Sequence, residues 1–172
     1  TEPVFTGDTR SLAFVRDTLG HRRIRMVRGD TRELVPLPGL QEAAPYDDWS
    51  PAPDSTGDRI VFVSDREGSP HLYLYDRTQG TVDSLVDLRA GGARDLDPTL
   101  TPNGLYLCFA SDRAGEGGFD VFLAHLDAVP PSVATLAGLN TSGDERHPRL
   151  GHSAAYVAYQ GQRPDSTGWN VH

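Results

Sequence analysis

The segment Gly151-His152-Ser153-Ala154-Ala155 has the small flanking residues of a serine nucleophile elbow. That chemistry requires a strand, a strained turn and then a helix, so that the hydroxyl stands over an oxyanion hole. Here the extended run Tyr156-Val157-Ala158-Tyr159 follows. Ser153 is therefore expected in a strand-to-strand turn, and no catalytic residue is assigned.

Metal chemistry finds equally little to work with. The six His are scattered; His147 and His152 are the closest pair, and no Cys or carboxylate spacing completes a site around them. Asp47, Asp48, Asp95 and Asp97 offer hard oxygens suited to calcium, but no contiguous calcium-loop motif holds them. Neither a metal nor a cofactor is expected. All 16 basic residues are Arg, so Schiff-base chemistry on a lysine is excluded.

Two features remain as candidates for recognition. His21-Arg22-Arg23-Ile24-Arg25-Met26-Val27-Arg28 is a basic cluster in a chain of net charge −8. As a strand it places Arg23 and Arg25 on one face, and Arg22 and Arg28 on the other with Ile24 and Met26. Arg22, Arg23, Arg25 and Arg28 thus form a candidate docking patch for an acidic protein surface, where Arg forks pair carboxylates bidentately. The alternative is that these arginines are solvated or paired between neighbouring units. The second feature is the recurring pair Asp65-Arg66 and Asp112-Arg113, whose repetition favours a structural role: capping turns and tying neighbouring units together.

Composition narrows the classes further. The negative charge disfavours nucleic acid, which needs a basic surface. No apolar run approaches the ~18 residues of a membrane span. Asp outnumbers Glu by 18 to 6, and 18 Gly and 13 Pro accompany it, a balance that favours turns over helices. The lone Cys108 lies within the apolar run Leu105 to Ala110 and reads as a core residue.

What must position these residues is a repeat. Phe14, Phe62, Phe109 and Tyr159 recur at steps of 48, 47 and 50 residues. Pro3, Pro98 and Pro148 each precede their aromatic by 11 residues. Each copy alternates short β-branched or aromatic runs with turns, as in Ile60 to Ser64, the turn Arg66 to Pro70, His71 to Asp76, and Thr81 to Val86. In the third copy Gly115 to Gly118 supplies the turn. Four short antiparallel strands per ~40–50 residues is the β-propeller blade pattern, and almost no helix is expected. The predicted blades are residues 1–44, 45–93, 94–143 and an incomplete 144–172, about three and a half in all. Phe14, Phe62, Phe109 and Tyr159 should occupy equivalent buried positions.

At these residues the chain resembles the WD40-like PD40 repeat family of TolB-like propellers. Asp48-Trp49-Ser50-Pro51, Ile60 to Arg66, Gly68 and Leu72 to Asp76 follow its pattern, as do Thr101-Pro102-Asn103-Gly104 and Phe109 to Arg113. The first and fourth copies are degenerate, with Arg16-Asp17 and Gln160-Gly161 in place of Ser-Asp. The resemblance implies a non-enzymatic, periplasmic or otherwise extracytoplasmic scaffold that binds other proteins, as an extrinsic subunit of an envelope or membrane complex. The alternative it implies is the propeller domain of a prolyl-oligopeptidase or tricorn-type peptidase lacking its catalytic domain. No small-molecule substrate is indicated. Since an unpaired sheet edge is normally covered, the native molecule is expected either to continue past His172 with a further blade or to hold a partner against residues 156–172.

Overall fold

A computed structural model describes residues 3–41, 44–114, 118–136, 138–162 and 168–172. Its strands form four antiparallel sheets in chain order. The first contains β1 (Val4–Phe5), β2 (Ser11–Thr18), β3 (His21–Arg28) and β4 (Leu34–Val35). The second contains β5 (Asp48–Pro53), β6 (Arg59–Ser64), β7 (His71–Asp76) and β8 (Thr81–Ser84). The third contains β9 (Asp95–Leu100), β10 (Tyr106–Ser111), β11 (Asp120–His125) and β12 (Ser132–Thr135). The fourth is three-stranded, with β13 (Glu145–Leu150), β14 (Val157–Gln162) and β15 (Trp169–Val171). Each sheet is an up-and-down meander, and the architecture is a β-propeller. The one helical element among the described residues is the 3-10 turn Val86–Leu88. Of the turn assigned to Gly115 through Gly118, residues 115 to 117 lie outside the described residues.

Alternation along the strands decides which sheet packs on which. In β6, Ile60 and Phe62 pack with Ile24, Met26, Tyr73 and Tyr75 in the core between sheets one and two. Val61 and Val63 point the other way, into a second core with Leu72, Leu107, Phe109 and Phe122. Cys108 and Val121 meet Tyr159 in the core between sheets three and four. The interior is thus three successive seams, each made by the two apolar faces of adjacent blades. Fully burying one such aromatic or branched side chain stabilises by roughly 1.5–3 kcal/mol.

The recurring aromatics share one register but not one burial. Phe62 and Phe109 are fully buried and Tyr159 is 8% exposed, whereas Phe14 is only half-buried. Phe14 stands opposite Arg25 as Phe62 stands opposite Tyr73, so the alignment holds. The expectation of equal burial fails at Phe14 because, among the described residues, no other sheet packs upon its face of the first sheet. The register also shifts one assignment in the fourth sheet. Glu145 pairs with Gly161 as Asp48 pairs with Ser64, so Gly161-Gln162, not Gln160-Gly161, stands in the Ser-Asp place.

Candidate functional site

The inner strands β5, β9 and β13 each carry a bulge at the same point. Ser50-Pro51 opposes Phe62 alone, Asp97-Pro98 opposes Phe109, and His147-Pro148 opposes Tyr159. Proline has no N–H to offer the ladder, so a bulge is where a strand tolerates it. The residue before each proline takes a left-handed backbone: φ is 50° at Ser50, 53° at Asp97 and 51° at His147. Such a conformation costs a non-glycine residue on the order of 1–3 kcal/mol and concentrates at functional positions. Three copies of it aim side chains at one place.

That place is a cavity of about 440 Å³ lined by Arg22, Trp49, Ser50, Asp97, His147 and Arg149 among others. Its charges are mostly matched. Arg22 Nε donates to Asp47 Oδ2 at 2.7 Å, and its guanidinium lies 4.1 Å over the Trp49 ring. Asp97 accepts from Arg146 Nε at 2.8 Å and stands 3.4 Å from His147 Nδ1. Burial would raise the Asp47 carboxyl, but hydrogen bonds from Arg22 and His21 outweigh it and hold that group below the usual carboxylate range. Arg149 is different. It is exposed, donates only to the Pro148 carbonyl at 3.1 Å, and has no carboxylate within ion-pair reach among the described residues. The cavity therefore holds one unmatched guanidinium beside an indole and two prolines. That combination suits an anionic group attached to something flat or apolar.

The four arginines of the basic strand separate in the structure. Arg22 lines this cavity. Arg23 is 2% exposed, and its guanidinium donates to the carbonyls of Arg22, Ala44 and Tyr46, so it offers nothing to a docking surface. Arg25 lies on the uncovered face of the first sheet, where burial and the nearby Arg16 and Arg23 hold its guanidinium below its ordinary value. Arg28 is exposed at the end of β3. Sequence alternation separated the faces correctly but could not show that the linker before β5 wraps the head of Arg23.

The Ser-Asp-Arg repeats also find their roles. Arg66 donates to Ser64 and to buried Asp48 at 3.0 Å each, and Arg113 donates to Ser111 at 3.0 Å and buried Asp95 at 2.8 Å. Asp65 accepts the Asp47 amide, and Asp112 accepts the amide and Nε of Arg94. These ties close each blade's hairpin onto its own inner strand. The expectation that they join neighbouring blades is corrected by that geometry. Links between blades include Arg22 to Asp47, Arg59 to Asp127, His71 to Asp95 and Arg146 to Asp97.

Ser153 is exposed in the turn joining β13 to β14, where the Ala154 amide donates to Gly151 at 3.1 Å. Strand β14 follows it, with no helix behind. Among the described residues no group of three or more His, Cys, Asp or Glu could hold a metal ion.

The fold is a β-propeller, and its cavity is bordered by all four inner strands through Val4, Trp49, Asp97 and His147. No family model matches the chain. An uncharacterised protein of Agrobacterium fabrum is 30% identical over 110 residues, covering 59% of this chain and 36% of that protein. The chain thus spans about a third of this curated relative's length. In fold it is similar to TolB from Acinetobacter baumannii, with a TM-score of 0.75, 18% identity, and coverage of 99% of this chain and 39% of that one. A putative TolB from Agrobacterium tumefaciens gives 0.74 at 16% identity, covering 97% and 58%. A prolyl endopeptidase gives 0.62 at 14%, covering 99% and 29%.

Proposed function

We propose that this chain is a non-enzymatic docking propeller of the TolB-like kind, whose axial mouth receives an acidic segment of another protein. The observation that carries this reading is the convergence of three strained bulge residues, Ser50, Asp97 and His147, on a cavity where, among the described residues, Arg149 is the charge without an ion-pair partner. A carboxylate would pair with that guanidinium, and the attached chain would lie against Trp49 and the prolines. The likeness in fold to TolB supports an extracytoplasmic setting, with the chain serving an envelope or membrane protein complex from outside the bilayer. No helix among the described residues is long and apolar enough to cross a membrane. The rival reading, a substrate-gating domain of a prolyl-oligopeptidase or tricorn-type enzyme, draws on structural likenesses with lower TM-scores.

A displayed library of random decapeptides, selected on the immobilised chain, tests the docking reading. Enriched peptides should carry Asp or Glu, and Arg149→Glu should abolish their binding while Arg28→Glu leaves it intact. Enrichment without acidic residues, or binding indifferent to Arg149, would overturn it. Treatment with a fluorophosphonate should leave Ser153 unlabelled; a labelled Ser153 would favour an enzyme.

A further inference from the structure

The turns that lead into the second strand of the first and third blades are one turn built from different residues. In the third blade, the Gly104 amide donates to the Thr101 carbonyl at 2.8 Å, with Pro102 and Asn103 between them. In the first, the Thr9 amide donates to the Thr6 carbonyl at 2.8 Å across Gly7 and Asp8. Thr101 Oγ1 donates to Asn103 Oδ1 at 2.7 Å, and Thr6 Oγ1 to Asp8 Oδ1 at 2.6 Å. The same oxygen accepts the Leu105 amide at 3.1 Å in one blade and the Arg10 amide at 2.9 Å in the other. Asn103 thus stands where the first blade has an aspartate.

Asn103 is also the asparagine of this sequence best placed for attack by its own backbone. The chain holds three: Asn103 precedes Gly104, Asn140 precedes Thr141, and Asn170 precedes Val171. Of the three following residues, only glycine lacks a side chain to shield its amide nitrogen. Asn140 is locked besides, its Oδ1 accepting the Val121 amide at 3.0 Å and its Nδ2 donating to the Val121 carbonyl at 3.2 Å. Asn103 is exposed, and its Nδ2 makes no hydrogen bond among the described residues. Two donors already rest on Asn103 Oδ1, the oxygen that becomes anionic when Cγ is attacked, and such donors lower that barrier. A cation stands close by as well. A Cβ placed on Gly104 would lie 3.5 Å from Arg59 Nη1, so this guanidinium favours negative charge developing at the turn.

We propose that Asn103 is a site of spontaneous deamidation whose aspartate product the fold retains. The Gly104 nitrogen attacks Asn103 Cγ and closes a five-membered succinimide; the carboxamide nitrogen takes up the amide proton and leaves as ammonia. Water then opens the ring at one of its two carbonyls. Cleavage between Cγ and the nitrogen leaves aspartate at position 103. Cleavage between the main-chain carbonyl carbon and the nitrogen leaves isoaspartate, whose main chain runs through Cβ. The aspartate loses no hydrogen bond, since Oδ1 remains and Nδ2 held none. Its charge is one this turn already carries, for bonds from Thr6 and the Arg10 amide hold the Asp8 carboxyl below the usual carboxylate range. Isoaspartate instead inserts a methylene into the turn and breaks the Thr101–Gly104 bond. Pro102 sits in that turn, and its carbonyl accepts the Ser55 amide of the second blade at 2.8 Å. One product is therefore silent in structure, and the other loosens a link between blades. Because the Gly104 amide is held by Thr101, attack waits for the turn to open, and the folded chain reacts more slowly than a free peptide.

Peptide mapping by mass spectrometry, after weeks at mildly alkaline pH, tests this. Asn103 should gain about 1 Da as its NH2 is exchanged for OH, while Asn140 and Asn170 stay unchanged. A synthetic peptide spanning residues 99–108 should convert faster than the folded chain. Asn103→Gln, one methylene longer, should gain no mass at position 103 over the same period. Asn103→Asp should melt within about 2 °C of the parent. The isoaspartate form, identified with an isoaspartate-specific methyltransferase and separated by chromatography, should melt below both. A folded chain that stays intact while the peptide converts, or equal conversion at Asn140 or Asn170, would overturn the proposal. So would an Asn103→Asp variant that melts well below the parent or fails to fold, or an isoaspartate form as stable as the aspartate one.

Discussion

Arg113 closes back onto Asp95 across the third sheet, Nη2 to Oδ1 at 2.8 Å, with the two side chains only 11% and 2% exposed. The same guanidinium lies 4.9 Å over Phe109 and 4.7 Å over Phe122, so one side chain ties the inner strand, the β10–β11 hairpin and the seam aromatics together. Removing Arg113 leaves the buried Asp95 with only His71 Nδ1, at 3.6 Å, within ion-pair reach, and a buried charge so stripped costs far more than the pair itself contributes.

Arg113→Ala should therefore destabilise the chain by about 3 kcal/mol in urea unfolding. Arg59, whose partner Asp127 is 51% exposed, is the control, and Arg59→Ala should cost no more than about 1 kcal/mol. Equal losses would show that burial of the Asp95 pair is not what matters.

Phe62→Ala should cost about 3–5 kcal/mol, through lost transfer energy and the cavity left in a sealed seam. Phe14→Ala, at the same register but half-buried, should cost about 1 kcal/mol. Paired denaturation curves measure the difference, and a ratio near one would contradict the burial contrast.

The repeat behind that comparison was legible because seam packing demands an aromatic at a fixed distance from the inner-strand proline. The spacing of Phe14, Phe62, Phe109 and Tyr159 carries it directly. Phe14's exposure was not legible, since a residue's register says nothing about what lies across from it. The axial cavity was missed for another reason. Ser50, Asp97 and His147 share no side-chain chemistry, and what unites them is a backbone conformation. A signal was nevertheless present: each precedes a proline, and the two steps between them are 47 and 50 residues, like those of the aromatics. Prolines recurring within strands mark bulges. Arg149 gave no signal, because whether a charge is matched depends on tertiary placement.

Ser50→Gly should raise stability by about 0.5–1 kcal/mol, since glycine relieves a φ of 50° by more than it loses to a freer unfolded chain. Ligand binding at the axial mouth should weaken in the same variant, because the bulge no longer holds one geometry. Thermal unfolding and peptide titration together check this trade, and a variant that is less stable would show the bulge to be unstrained.

Asp47→Asn should lower stability at neutral pH and cease to matter in acid. The folded-state carboxyl lies below its unfolded value of about 3.9, so its contribution is fully present above that pH and lost as pH falls through the folded value. The parent and variant unfolding midpoints should accordingly converge below about pH 4. A gap that persists at pH 2 would assign the effect to packing.

Cys108 gives this architecture a reporter of its own. Its side chain is fully buried in the seam between the third and fourth sheets, and burial pushes its thiol up to about 12. Thiol reagents attack the thiolate, so at neutral pH the folded chain should be nearly inert to them. Labelling then proceeds only when those two sheets part. With a single cysteine in the sequence, the modification rate becomes a clock for the opening of one chosen seam. Followed through a urea series, that clock distinguishes a blade that peels away locally from a propeller that unfolds as one body.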